Sequence, residues 1–277
     1  MTVFHSAGRI GDLLFALWTM KALGGGQLVV SDFHKGNWDL DIARSMTDFL
    51  MLQPYIKDVA VTSYVALGSI GYDFQHAETD YNPEAFGMSR EEPWPGRALI
   101  AQRYASHFGL TFDGLPWLRS ATMNCDVAFH CPMRRSVREK NDWITILESL
   151  SQSGLDIVIL GKEPPFDDMG RFDLVNSAQY VNGAKCFLGV VSSMNALAEG
   201  LGKKRFVEHA PDCWNVTPGV VINGMSNDEI VKHVIVACKG EALLYDSGRI
   251  PEVTQGDWHS GESSPIVGRQ SSDNMDA

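Results

Sequence analysis

The segment 12–23 constrains this chain more than any other. Leu13, Leu14, Phe15, Leu17, Trp18 and Met20 wrap most of a helix circumference there, and Lys21 is its only base. A helix apolar on most sides must be covered on several of them. The strand-like Thr2–His5 precedes it through the loop Ser6-Ala7-Gly8-Arg9-Ile10-Gly11, and Gly24-Gly25-Gly26 ends it. Gln27–Ser31 then reads as a buried strand, with Leu28-Val29-Val30 continuous. A helix at about 42–52 and a strand over Asp58–Thr62 follow. Strand, helix, strand, helix, strand predicts the start of a doubly wound α/β sheet with helix 12–23 packed on it.

The pattern then loosens and restarts. Residues 64–95 mix Gly, Pro, Tyr and acids and read as a long surface loop, of a kind that is often functional. A helix at about 97–108 leads through Pro116-Trp117-Leu118 to a crossover near 119–125. A second unit begins with strand Asp126–His130 and a polar loop to Lys140. Asn141 or Asp142 can cap a helix over 143–152, where Trp143, Ile144, Ile146, Leu147 and Leu150 keep helical spacing. Strands are predicted at Asp156–Leu160, Ala184–Val190, Arg205–Glu208 and Gly219–Ile222. Ser192 and Ser193 open a helix to about 201, and Ser226-Asn227-Asp228-Glu229 caps a last helix. This divides the chain into 1–120, 121–240 and a mostly disordered acidic tail, 241–277.

With 277 residues the chain is long enough for about two domains. No apolar run approaches the ~20 residues of a spanning helix, so no transmembrane segment is expected. No basic-then-apolar leader is read at the N-terminus. Five cysteines without a Cys-x-x-Cys pair predict buried reduced thiols and a cytoplasmic location. The net charge is −11, of which the tail carries −5 through seven acids against two bases. An acidic body argues against general binding to nucleic-acid backbones, though not against one local basic pocket.

Gly8-Arg9-Ile10-Gly11-Asp12 is the first place where chemistry can sit. Two glycines turn the chain sharply and leave space at the carboxyl end of a sheet, where such folds bind ligands. Asp12, expected at the first helical position, either caps the helix or acts as a base. The run is neither a Gly-x-Gly-x-x-Gly fingerprint nor a Walker motif. Arg134, Arg135, Arg138 and Lys140 form a cationic cluster in the later loop. Ser192 and Ser193 offer hydroxyls and amides at a helix start, or simply cap it. His5 and His130 end strands, and a lone His there is more often structural.

Three stretches together carry a resemblance. Gly8-Arg9-Ile10-Gly11-Asp12 with its apolar helix, Lys140-Asn141-Asp142-Trp143 between two strands, and Phe187–Lys203 resemble, in this order, motifs of the heptosyltransferases (glycosyltransferase family nine). The resemblance implies a GT-B architecture, two Rossmann-like domains facing across a cleft. Residues 1–120 would take the acceptor and 121–240 the donor. It implies a metal-independent, inverting transfer of a sugar from a nucleotide-sugar donor, which enters as substrate and not as cofactor. Asp12 carries over as general base, Gly8, Arg9 and Gly11 as the acceptor side, and Lys140 as a phosphate contact. Arg134, Arg135, Arg138, Ser192, Ser193 and Glu199 join Lys140 on the donor side. The acceptor class is a saccharide, a lipid-linked glycan or, more remotely, a modified DNA base as in a phage-type enzyme. The chain departs from the family signature: Val191, Ser193 and Ala196 stand where the family has Asp, Gly and His. A non-catalytic nucleotide-sugar-binding relic of the fold is therefore the alternative.

Overall fold

The computed structural model describes residues 1–6, 10–31, 40–62, 70–74, 100–133, 136–161, 173–209 and 219–240. All fall within one compact unit, Met1–Leu243. Two parallel sheets organise them. The first holds β1 (Val3–Ser6), β2 (Gly26–Ser31), β3 (Ile56–Thr62) and β4 (Tyr72–Asp73) in the order β3-β2-β1-β4. The second holds β5 (Cys125–His130), β6 (Ile157–Ile159), β7 (Ala184–Val190), β8 (Lys204–Glu208) and β9 (Val220–Val221) in the order β6-β5-β7-β8-β9. The helices among the described residues are α1 (Ile10–Ala22), α2 (Leu40–Met51), α3 (Ile100–His107), α4 (Lys140–Gln152), α5 (Leu174–Gly183), α6 (Ser193–Gly200) and α7 (Asn227–Lys239). The expected α/β class is the one observed.

Each sheet reverses its winding once. In the first, β2 and β3 lie to one side of β1 and β4 to the other; in the second, β6 lies to one side of β5 and β7 to the other. Parallel sheets of this type open a crevice at the carboxyl ends of the strands where the order reverses.

Helix α1 behaves as its sequence demands. Every residue from Leu13 to Met20 is buried. One apolar cluster runs from Phe4 and Leu28 of the first sheet, through Leu13 and Leu17 of α1, to Met194, Leu197 and Phe187 of the second unit. Burying each such large side chain contributes about 1.5–3 kcal/mol. A separate cluster covers the other face of the second sheet, with Val127, Phe129, Trp143, Ile146, Phe206 and Val234.

Trp117 is the bolt between the two units. Its indole Nε1 donates to the Leu14 carbonyl of α1 at 2.8 Å. The backbone amides of Trp117 and Leu118 both donate to Gly200 O, at 2.9 Å each, where α6 ends. A Cβ at Gly200 would lie 2.4 Å from Leu118 Cδ1, so this approach excludes any larger residue without a shift. A second link joins α2 and α5, where Leu174 N donates to Ser45 Oγ at 2.6 Å.

The elements differ from expectation in four places. Helix α1 begins at Ile10, which puts Asp12 third in the helix and not first. Helix α4 begins at Lys140, with extended Glu139 as its cap, so Asn141 and Asp142 lie inside the first turn. Strand β4 lies within the stretch read as loop; it is two residues long and too short for alternation to register. Helix α5 was not expected, because Asn176, Ser177, Gln179 and Asn182 interrupt the apolar pattern around its buried Leu174, Ala178 and Val181. Asp173 caps it by accepting from Asn176 N at 3.0 Å. The last helix does carry the expected cap, a reciprocal box of Ser226 and Glu229. The rest of 64–95, residues 63–69 and 75–99, and the tail from 241 lie outside the described residues. Among the described residues no helix is long and apolar enough to cross a membrane.

Replacing Trp117 by Phe removes the indole donor and leaves part of the pocket empty. The expected loss is about 1–3 kcal/mol of unfolding free energy, read as a lower urea midpoint at unchanged slope. An unchanged midpoint contradicts the bolt.

Candidate functional site

The carboxyl ends of both sheets carry polar bridges across their reversal points. In the first sheet His5 is almost fully buried and its Nδ1 lies 2.9 Å from Asp73 Oδ1. Its Nε2 lies 2.7 Å from Ser31 Oγ. The two ring nitrogens each have a hydrogen-bonding partner on a neighbouring strand. The chain Ser31–His5–Asp73 thus ties β2, β1 and β4 together at their ends.

The second sheet repeats the device with different partners. His130 ends β5, and its Nδ1 pairs with Ser192 Oγ at 3.0 Å across the reversal between β5 and β7. His130 and Gly189 are register partners. A Cβ at Gly189 would lie 2.0 Å from the His130 carbonyl oxygen, so only glycine allows this approach. Ser192 also caps α6, accepting from Asn195 N at 3.4 Å. Its capping role is therefore present in the structure.

Helix α6 then meets α1 at their starts. A Cβ placed on Gly11 would lie 3.5 Å from Ser193 Cα and 3.8 Å from Ser193 N. Asp12 follows this contact directly and is half-buried in the first turn of α1. The structure therefore brings Gly11, the residue before Asp12, against Ser193, the residue after Ser192. Gly8, Arg9, Arg134 and Arg135 lie outside the described residues.

The loop before Lys140 is held by a carboxylate that the sequence did not single out as its anchor. Glu208 ends β8 and is fully buried. Its Oε2 accepts from Ser136 Oγ at 2.6 Å and from Val137 N at 3.1 Å. Arg138 faces Oε1 at 3.2 Å as an ion pair. The Arg138 fork also donates to the carbonyls of Ile222 (2.9 Å) and Met225 (2.6 Å) and to Asn227 Oδ1 (3.2 Å). Trp143 Nε1 donates to Ser136 Oγ at 2.8 Å. Arg138 thus ties this loop to α7. Lys140, by contrast, is exposed at the first position of α4. Val191 N donates to the Glu208 carbonyl at 3.0 Å, so the anchor reaches the segment before Ser192 as well.

Glu199 sits deeper. It is buried, and its Oε2 pairs with Arg205 at 2.7 Å. Arg205 also donates to Asn195 Oδ1 at 3.3 Å. Burial pushes the Glu199 carboxyl up from its ordinary range, and Arg205 pulls it back. The same burial lowers Arg205. The carboxylate expected toward the donor therefore has one oxygen taken up within the unit. Ala196, at the place of the family His, is fully buried and offers no polar group.

No protein-family profile and no curated protein matches this chain. Solved structures do. The E. coli heptosyltransferase WaaC, determined with ADP-2-deoxy-2-fluoro heptose, aligns over 84% of this chain and 98% of its own, with a TM-score of 0.51 and 12% identity. A glycosyltransferase family 9 protein of Veillonella parvula aligns over 87% and 97%, with a TM-score of 0.56 and 9% identity. The E. coli ADP-heptose lps heptosyltransferase II aligns over 87% and 99%, with a TM-score of 0.54 and 10% identity. The chain shares the heptosyltransferase fold. At these identities the likeness is one of fold.

Glu208→Ala leaves the partly buried Arg138 charge without its carboxylate. The expected cost is about 3–5 kcal/mol in urea unfolding. Lys140→Ala, on the surface, costs less than about 0.5 kcal/mol. Equal costs at the two positions contradict the division into anchor and exposed cation.

Proposed function

We propose that this chain is a glycosyltransferase of GT-B architecture. Residues 1–120 take the acceptor and 121–240 the nucleotide-sugar donor, across a cleft between two Rossmann-like domains. The observation that carries the reading is the contact of Gly11 with Ser193. It sets Gly11, the residue before Asp12, against a helix start on the second unit, which supports Asp12 as the group that faces a donor there. The fold shared with heptosyltransferases, one determined with an ADP-heptose analogue, supports the choice of donor class.

The chemistry follows from charge. An acceptor hydroxyl must lose a proton as it attacks the anomeric carbon, and Asp12 takes that proton. The bond from the anomeric carbon to the diphosphate oxygen breaks on the opposite face, so configuration inverts. The leaving diphosphate gathers negative charge. Lys140 and the amides at the start of α6 meet that charge, so no metal is required in this scheme. The Glu208 anchor fixes the loop that delivers Lys140, which lowers the ordering cost at binding. The acceptor class is a saccharide or lipid-linked glycan, and the setting is the cytoplasm. The buried Ala196 and the capping role of Ser192 support a donor held differently from that of the family, so the sugar is left open within nucleotide sugars.

A thermal-shift screen over nucleotide sugars tests donor binding. A true donor at 100 times its Kd adds about 2.7 kcal/mol, or roughly 5–10 °C in Tm. Asp12→Asn keeps that shift, while release of nucleoside diphosphate in the presence of lipid-linked saccharides falls about 10²–10⁴-fold. A variant that turns over as fast as wild type removes Asp12 as base. A panel in which no nucleotide sugar raises Tm removes the donor reading altogether.

A further inference from the structure

The second sheet carries a thiol cluster at its amino-terminal edge, the end opposite His130 and Ser192. Cys125 opens β5, Cys186 is the third residue of β7, and Cys238 lies in the last turn of α7. Cys186 Sγ and Cys238 Sγ are 3.7 Å apart, with the two residues 0% and 4% exposed. We propose that Cys186 and Cys238 form a hydroperoxide-responsive dithiol, a modification site that closes to a disulfide tying the last turn of α7 to β7.

Geometry is the first argument. A disulfide is about 2.05 Å long, so closure asks for a sulfur movement smaller than a rotamer change gives. Access is the second. Cys238 is followed by Lys239 and by Gly240 in the left-handed conformation, the C-cap of α7. Terminal helical turns open locally far more often than cores do, and such opening admits a small oxidant.

Position favours Cys238, in the terminal helical turn, as the sulfur that reacts first. Either thiol can donate in the contact between them, and Cys238 Sγ also donates to the Asp126 carbonyl at 3.6 Å. The contact with Cys186 holds the Cys238 thiol below the ordinary range, against burial and the Asp126 carboxylate. Lys185 and Lys204 add to that effect. Burial first, then Asp156 and Asp126, pushes the Cys125 thiol up to about 11, which leaves it neutral and a poor nucleophile. The Cys238 thiolate attacks a peroxide oxygen; the O–O bond breaks, giving a sulfenic acid and hydroxide. The Cys186 sulfur then attacks that sulfenic sulfur, the S–O bond breaks, and water leaves with the Cys186 proton. Two thiols are oxidised by one hydroperoxide.

Full-length protein treated with hydrogen peroxide, alkylated and digested with trypsin under non-reducing conditions tests this. The expected product joins peptide Cys186–Lys203 to peptide His233–Lys239 and is reversed by dithiothreitol. Closing a loop between residues 52 apart raises Tm by roughly 5–10 °C. Cys186→Ser gives no such peptide and carries Cys238 on to sulfinic acid, which dithiothreitol does not reverse. A bond from Cys238 to Cys125 or Cys213, or free thiols at both 186 and 238 after oxidation of surface methionines, overturns the proposal. The wild-type map decides even if the variant does not fold.

Discussion

The structure depends on the burial of helix α1. Its eight consecutive buried residues leave no face for water, so a single sheet cannot satisfy it. The first sheet covers part of its surface, and α3, α6, Phe112 and Trp117 cover more of it. This requirement joins the two units through one apolar cluster and sets the starts of α1 and α6 against each other. The same packing that hides Leu13–Met20 therefore brings Gly11, next to Asp12 in the chain, against Ser193. Position and stability have one cause here.

Around that contact the fold places rigid polar supports under exposed groups. His5 and His130 bridge the reversal points of the two sheets, His5 to the strand ends at Asp73 and Ser31 and His130 to Ser192 at the start of α6. Glu208 collects a hydroxyl, an amide and a guanidinium beneath the loop that leads to Lys140. Buried charges of this kind are costly unless their partners are in place. Their presence at the carboxyl ends of the strands fits a scaffold that fixes loops from below and leaves their tips to a ligand.

Much of this was legible in the sequence, and the exceptions have physical reasons. The continuous apolar circumference of 12–23 and the runs Leu28–Val30 and Phe187–Val190 announced buried α/β elements. The Ser226–Glu229 box announced α7. Strand β4 was missed because two strand residues leave no period to detect, and helix α5 because Asn176, Ser177, Gln179 and Asn182 dilute the helical spacing of Leu174, Ala178 and Val181. At the site, Asp12, Gly11 and Ser193 could be named from the strand–turn–helix pattern. The work of Arg138 and Glu199 could not. An arginine in a charge run looks solvated, yet Arg138 is tied to Glu208, seventy positions further on. Glu199 looks like a helix-surface acid, yet Arg205 on the next strand claims it. Such partners are set by tertiary packing and leave no local mark.

The central claim is that a nucleotide sugar lies where the starts of α1 and α6 meet. A crystal structure of the chain with an unhydrolysable nucleotide sugar measures this directly. The account predicts the diphosphate within hydrogen-bond distance of backbone amides at Ser193, and the Asp12 carboxylate facing the anomeric carbon from the side away from the diphosphate. A ligand bound elsewhere, or an Asp12 carboxylate turned away from the sugar with α1 and α6 separated, would contradict it.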